Sequence, residues 1–277
     1  MKNESSFWAA WLKLARVSNL PTVWTNVLAA WVLSGGWWRE GVVLGLLVAG
    51  SLMYTGGMIL NDAADVAFDR QHRAGRPIPS GQISARAAWS VGLVMLLGGA
   101  GLAVWCGAGL WMTLALIGAI LFYDLYHKPW AGSVVVMGAC RTLLYLCVAS
   151  ALGGQVLAQS LLLGVYIVAL SLAARSRGGW WSVLLFAPLV WALVVMGTGA
   201  LRHLDVFVPV WLALLVLVLY ALLHLRAGKV DDGVGWLLAG IVLVDALFIS
   251  SREPWLALAF VAVCPLLRLW QRWVAAT

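Results

Sequence analysis

The sequence predicts an all-α fold: a polytopic transmembrane helical bundle of nine to ten spans, forming a single integral-membrane domain over residues 1–277. Three observations predict it. The chain is 63% hydrophobic and 10% charged, with a mean hydropathy of +0.95, whereas soluble domains carry about 25% charged residues. Apolar runs of roughly 17–25 residues, the length that crosses a bilayer, recur from end to end. The basic residues gather in alternate connections, as the positive-inside rule requires.

Taken in order, residues 1–16 are amphipathic and basic, and no A-x-A-like cleavage site precedes the first span, so no cleavable signal peptide is expected. Spans are expected near 18–36, 41–63, 84–106, 108–125, 131–152, 157–174, 180–200, 204–224, 233–250 and 254–272. The fourth is short and the ninth carries Asp245, which leaves nine spans open as well as ten. No strand alternation, low-complexity tract, short repeat or soluble domain interrupts them.

With the N-terminus cytoplasmic, one side of the membrane receives Lys2, Lys13, Arg16, Arg70, Arg73, Arg76, Arg86, Lys128, Arg175, Arg177, Arg226, Lys229, Arg268 and Arg272. The other receives only Arg39, Arg202 and Arg252, and Arg141 is left inside a span. This asymmetry puts both termini and the polar motifs on the cytoplasmic side. The net charge of +7 is scattered over short loops rather than gathered in a patch, which argues against nucleic acid as a partner. Eighteen tryptophans, among them Trp37-Trp38 and Trp180-Trp181 at span ends, read as interfacial belts. Cys106, Cys140, Cys147 and Cys264 lie in apolar segments without metal-ligand spacing and read as small buried hydrophobes.

The richest chemistry sits where the second span ends, in Asn61-Asp62-x-x-Asp65-x-x-x-Asp69. At about 100° per residue these four side chains fall within one arc of about 100° on a helix. Carboxylates crowded at a bilayer edge require a cationic partner. Mg²⁺ suits them, since it prefers carboxylate oxygens and shares its coordination with phosphates. Arg70, Arg73 and Arg76 follow at once, so acid, metal and phosphate chemistry at a membrane surface is the expectation.

Several landmarks resemble the UbiA superfamily of intramembrane prenyltransferases, in the order that family shows. They are Arg16-Val-Ser-Asn19-Leu-Pro21-Thr22 with Asn26, the Asn61–Asp69 motif, the run Arg73-Ala-Gly-Arg76-Pro77-Ile-Pro79-Ser-Gly81, and Tyr123 with Lys128, then Gly138 and Arg141. The chain departs from that pattern at the end of the sixth span. A second aspartate-rich motif is expected there, but Tyr166-Ile-Val-Ala-Leu-Ser-Leu-Ala-Ala-Arg175-Ser-Arg177 holds no acid. In this respect, and in Leu243-Val-Asp245-Ala, it is similar to the divergent Ebo-type (EboC-like) branch.

The resemblance implies transfer of an isoprenyl group from an isoprenyl diphosphate to a small aromatic or hydroxyl acceptor, with Mg²⁺ as cofactor and diphosphate released. Asp62 and Asp65 are then the expected metal ligands, with Asn61 and Asp69 supporting them or ligating through water. Arg73, Lys128 and Arg141 could grip phosphate oxygens, and Asn26 and Tyr123 belong to the implied substrate site. Arg175 and Arg177 would neutralise diphosphate in place of the second metal. Membrane lipids would surround the protein, in a bacterial inner membrane with the site facing the cytoplasm.

Plainer readings stand beside these. Asp69 with Arg70 and Arg73 could form a solvated ion-pair loop, Lys128 could snorkel, and Arg70, Arg76, Arg86, Arg175 and Arg177 could be topological charges. Arg141 could serve a structural salt bridge. Asp124 is either a general base or, more simply, the i,i+4 partner of Lys128. Asp231 and Asp232 suit a helix start, and Asp245 has no evident role. The alternative function is a non-catalytic UbiA-like membrane protein for lipid binding or export. A CDP-alcohol phosphatidyltransferase would need a D-G-x-x-A-R run before Asp62, and a secondary transporter would need paired broken helices; neither occurs.

Overall fold

The computed structural model describes residues 4–37, 40–128, 130–179, 184–187, 189–190, 192 and 203–274. Lys2, Trp38, Arg39, Trp180-Trp181, Arg202 and most of the expected seventh span lie outside the described residues. An N-terminal helix α1 (Glu4–Leu14) leads through a 3₁₀ turn (Val17–Asn19) into α2 (Leu20–Leu33). Then come α3 (Gly41–Ala64), the short α4 (Val66–His72), α5 (Ala85–Trp105), α6 (Leu110–Tyr126), α7 (Ser133–Ser150) and α8 (Leu157–Arg175). The chain closes with α9 (Leu204–Arg226), α10 (Val230–Ile249) and α11 (Pro254–Trp270).

Among the described residues, six helices are long and apolar enough to cross a membrane: α3, α5, α7, α8, α9 and α10. The shorter apolar helices α6 and α11, with 17 residues each, complete the bundle beside α2 with 14. The expected first span is shortened because residues 17–19 wind into the 3₁₀ turn instead of joining the helix. This is an integral membrane protein.

Helix α10 is the axis of the molecule. It is apolar nearly all round, as a helix enclosed by others should be, and its residues from Ile241 to Ile249 are all buried. Helices α2, α8, α9 and α11 pack around it. A second group, α3, α5 and α6, joins through α2 and α7. Close approach depends on small residues, because helices in lipid associate by tight packing. A Cβ on Gly138 of α7 would lie 2.6 Å from the Gly164 carbonyl oxygen of α8, and one on Gly99 of α5 would lie 2.7 Å from the Ala49 oxygen of α3.

Helix α1 does not cross the bundle. Its Ala10 and Leu14, with Ala15 just beyond, bury against Ile59 and Ala63 of α3 and against Ile78 and Ile83 of the loop before α5. At the opposite end of the bundle Trp105, Trp111 and Trp255 are 88%, 80% and 82% exposed, positions that fit an interfacial belt.

Candidate active site

Two cavities that share four lining residues lie where α3, α6, α7 and α8 converge, with Val234, Leu238 and Ile241 of α10 closing the inner one. The inner chamber, about 380 Å³, is walled mainly by apolar side chains such as Met53, Leu116, Ile120, Met137, Leu144, Ile167 and Leu170. The outer vestibule, about 430 Å³, is lined by Asp65, Phe68, Arg73, Arg76, His127 and Lys128. Arg16, Asn61, Tyr123 and Arg175 face both.

The aspartate motif does not form one continuous helical face. Helix α3 ends at Ala64, Asp65 caps it, and α4 begins at Val66. The three carboxylates accordingly take two sets of partners. Arg76 Nη1 bridges Asp62 Oδ1 at 3.1 Å and Asp69 Oδ2 at 2.8 Å, and Arg16 Nη2 reaches Asp62 Oδ1 at 3.2 Å. Asp65 instead turns to Lys128 Nζ at 2.9 Å and His127 Nε2 at 3.4 Å. Burial alone would raise the Asp65 pKa, but the hydrogen bonds from His127 and Lys128 outweigh it and hold the carboxyl below its ordinary value.

Lys128 Nζ also sits 3.6 Å from the centroid of the Phe68 ring, and His127 stacks on Tyr123. Asp69 therefore pairs with Arg76 rather than with Arg70 or Arg73. Arg73 lines the vestibule without an ion pair among the described residues, while Arg70 and Arg86 are exposed and line neither cavity.

Other expected residues separate in space. The i,i+4 pair of Asp124 with Lys128 does not form, because Lys128 reaches across to α3. Asp124, buried on the inner face of α6, accepts from Asn61 Nδ2 at 3.2 Å. Arg141 lies on the chamber and not on the vestibule, donating to Asn26 Oδ1 at 2.7 Å and Thr22 Oγ1 at 3.0 Å. Arg175 faces both cavities and donates to the Ala131 carbonyl at 2.9 Å and Ser133 Oγ at 3.0 Å. Arg177 is exposed in a left-handed turn (φ 51°) and lines neither. At the start of α10, Asp232 pairs with Arg268 at 3.0 Å.

Three placements escaped the sequence reading. Arg16 enters the site because α1 docks beneath α3 and the chain then turns through φ 44°, a left-handed backbone costly for any residue but glycine. His127 adjoins Lys128 without a motif to mark it. Asp245, buried within α10, accepts from Asn26 Nδ2 at 2.7 Å, from the Tyr145 hydroxyl and from Thr25. Arg16 and Asp245 stand in the landmark runs Arg16-Val-Ser-Asn19 and Leu243-Val-Asp245-Ala, which marked the residues and not their partners, whereas His127 carried no signal.

The donor set suits Mg²⁺ in kind: hard carboxylate and amide oxygens, few in number, leaving positions for phosphate. Asp69 Oδ1 is buried with no hydrogen-bond partner. Among the described residues no three acidic, histidine or cysteine side chains form a ready-made cage, and each aspartate holds a cationic partner.

A membrane-embedded helical bundle built around an apolar chamber with a charged mouth is the class of protein that fold and site define. The chain belongs to the UbiA prenyltransferase family, which it matches over residues 20–175. It is 29% identical over 133 residues to digeranylgeranylglyceryl phosphate synthase of Saccharolobus solfataricus, covering 46% of each chain. It is 28% identical over 139 residues to 4-hydroxybenzoate octaprenyltransferase of Pectobacterium carotovorum, covering 48% of each. The chain thus spans about half the length of the curated relatives it matches. In fold it is similar to the apo structure of a UbiA homolog from Aeropyrum pernix K1, with a TM-score of 0.65 and 16% identity over 84% of this chain and 96% of that one.

Proposed function

We propose that this protein is an intramembrane prenyltransferase that moves an isoprenyl group from an isoprenyl diphosphate to a small acceptor. The observation that carries this reading is the continuity of an apolar chamber with a cation-lined vestibule through Arg16, Asn61, Tyr123 and Arg175. A molecule with a hydrocarbon tail and a diphosphate head matches that pairing. The carbon–oxygen bond at C1 breaks, diphosphate leaves with the electron pair, and the acceptor's nucleophile forms the new bond and loses its proton to solvent.

Negative charge grows on the leaving oxygens as the bond breaks, so donors aimed at them stabilise the transition state. Arg73 and Arg175 supply such donors, and Lys128 and Arg76 do so by releasing their aspartates. Asn61, Asp62, Asp65 and Asp69 would hold Mg²⁺, which when bound supplies charge neutralisation to the diphosphate. With no acid at the end of α8, Arg175 takes the part of a second metal; this supports placement in the Ebo-type branch. The apolar wall shields the allylic cation from water. The basic ends of the helices favour a cytoplasmic vestibule, and the resemblance to the Ebo-type branch favours a bacterial plasma membrane.

The test uses membranes containing the protein, Mg²⁺, radiolabelled isoprenyl diphosphates of several lengths and a host metabolite extract. A labelled lipid that is lost in Asp65→Asn membranes is the expected result. Absence of any Asp65-dependent product, with the protein folded, would favour a non-catalytic lipid-binding relative, the reading to which the acid-free end of α8 otherwise points.

A further inference from the structure

The end of the chain reaches back to the turn that carries Arg16. Gln271 caps α11 and is buried; its Nε2 donates to Asn19 Oδ1 at 3.1 Å, across 252 residues of sequence. Its Oε1 accepts from Arg268 Nη1 at 2.5 Å. A guanidinium only donates, so Arg268 fixes which way the Gln271 amide points and turns its nitrogen toward Asn19. Arg268 is itself set by α10: Nη2 meets Asp232 Oδ1 at 3.0 Å, and the guanidinium lies 4.8 Å from the Trp236 ring centroid. It rests where α10 has no side chain, since a Cβ on Gly235 would stand 1.9 Å from Arg268 Nη1.

Asn19 passes this constraint to the site. Its backbone N–H donates to the Arg16 carbonyl at 3.0 Å and closes the 3₁₀ turn, and its own carbonyl accepts from Thr22 Oγ1 at 2.8 Å. The turn has need of a tie. Arg16 holds φ 44° without the freedom of glycine, and strained backbone persists only where its surroundings over-determine it. A single 3₁₀ turn supplies little on its own. On one side α1 is docked through Leu14, with Ala15 just beyond; on the other stands Gln271. From this turn the Arg16 side chain reaches Met58 Sδ at 3.6 Å and Asp62 Oδ1 at 3.2 Å, and it faces both cavities.

We infer that Gln271, oriented by Arg268, is a positioning residue for Arg16: the end of α11 holds the Arg16–Asn19 turn in its left-handed form and so fixes the guanidinium that lines both cavities. Gln271 and Arg268 lie beyond residues 20–175, which match the family, and line neither cavity; they act through Asn19. Simple attachment of α11 does not account for the relay. That helix already packs on α10 and α2, burying Ala257, Phe260, Cys264 and Leu267. The relay ends instead on the one residue lining either cavity, among those described, whose φ is positive. A consequence for donor binding rests on the prenyl-transfer reading; the tether itself does not.

The experiment uses the full chain in nanodiscs and follows hydrogen exchange by mass spectrometry, comparing residues 17–20 with α7 and α10. Gln271→Leu removes the donor at nearly constant volume. It should speed exchange at 17–20 roughly five- to tenfold, the equilibrium worth of one hydrogen bond, while α7 and α10 keep their protection. Gly235→Ala acts from farther away, displacing Arg268 while removing no hydrogen-bonding group. Alanine favours a helix more than glycine does, so the same local loss without a fall in melting temperature is expected. In an Asn19→Ala background, Gln271→Leu should change this segment no further, because the partner it acts through is gone.

Calorimetry with farnesyl thiodiphosphate, an unreactive donor analogue, then reports on Arg16 itself. Gln271→Leu should weaken the analogue by a factor similar to the loss of protection, and should weaken it no further once Arg16→Met is present. If Gln271→Leu does not fold, Gly235→Ala carries both arms. Unchanged protection at 17–20, protection lost equally in α7 and α10, additive effects of Asn19→Ala and Gln271→Leu, or an unchanged analogue affinity beside a loosened turn would overturn the inference. Failure of folded wild-type protein to bind the analogue would instead strike the prenyl-transfer reading, and the exchange arm would still decide whether Gln271 holds the turn.

Discussion

At the scale of single residues, Arg76 holds the vestibule together. It neutralises two buried carboxylates that have no other shared cation, and removing one partner of such a group leaves charge stranded in low dielectric. Arg76→Ala is expected to lower stability by on the order of 3 kcal/mol, read as a fall in the melting temperature of detergent-solubilised protein. Adding Asp69→Asn should recover part of that loss, because the stranded charge goes with the carboxylate. Arg175 and Arg177 offer a contrast two positions apart. Arg175→Ala should raise the KM for isoprenyl diphosphate at least about tenfold, in line with loss of a charge-assisted contact, and Arg177→Ala should leave it unchanged, since only Arg175 faces the cavities. Equal effects of the two would mean that net positive charge, and not a placed guanidinium, attracts the diphosphate.

At the scale of elements, the α7–α8 contact sets the distance between Arg141 and Arg175. Gly138→Ala puts a methyl group 2.6 Å from the Gly164 carbonyl, so the helices must part. The expected cost is about 1–3 kcal/mol, with impaired prenyl transfer beyond what the fraction of folded protein accounts for. An unchanged melting temperature would show that α8 has freedom to slide.

Helix positions were largely legible in the sequence because hydropathy reports them directly: the expected 41–63, 84–106 and 157–174 became Gly41–Ala64, Ala85–Trp105 and Leu157–Arg175. Partners were less legible. Periodicity places Asp124 and Lys128 on one helix four residues apart, yet Lys128 bonds Asp65 and Asp124 bonds Asn61. Asn26 and Asp245, 219 residues apart, meet only because α2 packs on α10. A sequence period describes a face within one helix and is silent on what faces it.

At the scale of the whole molecule, the vestibule and the exposed Trp105, Trp111 and Trp255 lie at opposite ends of the bundle. An impermeant maleimide should therefore label Gln82→Cys and Gly153→Cys from opposite sides of the membrane, in a background with Cys106 and Cys140 replaced by alanine. The vestibule-side Gln82→Cys should react only in inverted vesicles. Labelling of both from one side would break the assignment of the vestibule to the cytoplasmic face.

The pre-paired state of the aspartates bears on turnover as well as on binding. In the proposed reaction, diphosphate entering the vestibule would exchange partners with Asp62, Asp65 and Asp69 and add little new charge compensation. The same carboxylates would then compete for those cations once the product had formed. The site would thereby carry its own displacing agent. On the proposed reaction, a leaving group that metal ions and arginines would otherwise retain would be pushed toward solvent by acids waiting to reclaim their partners, and weakening those acids should slow product release.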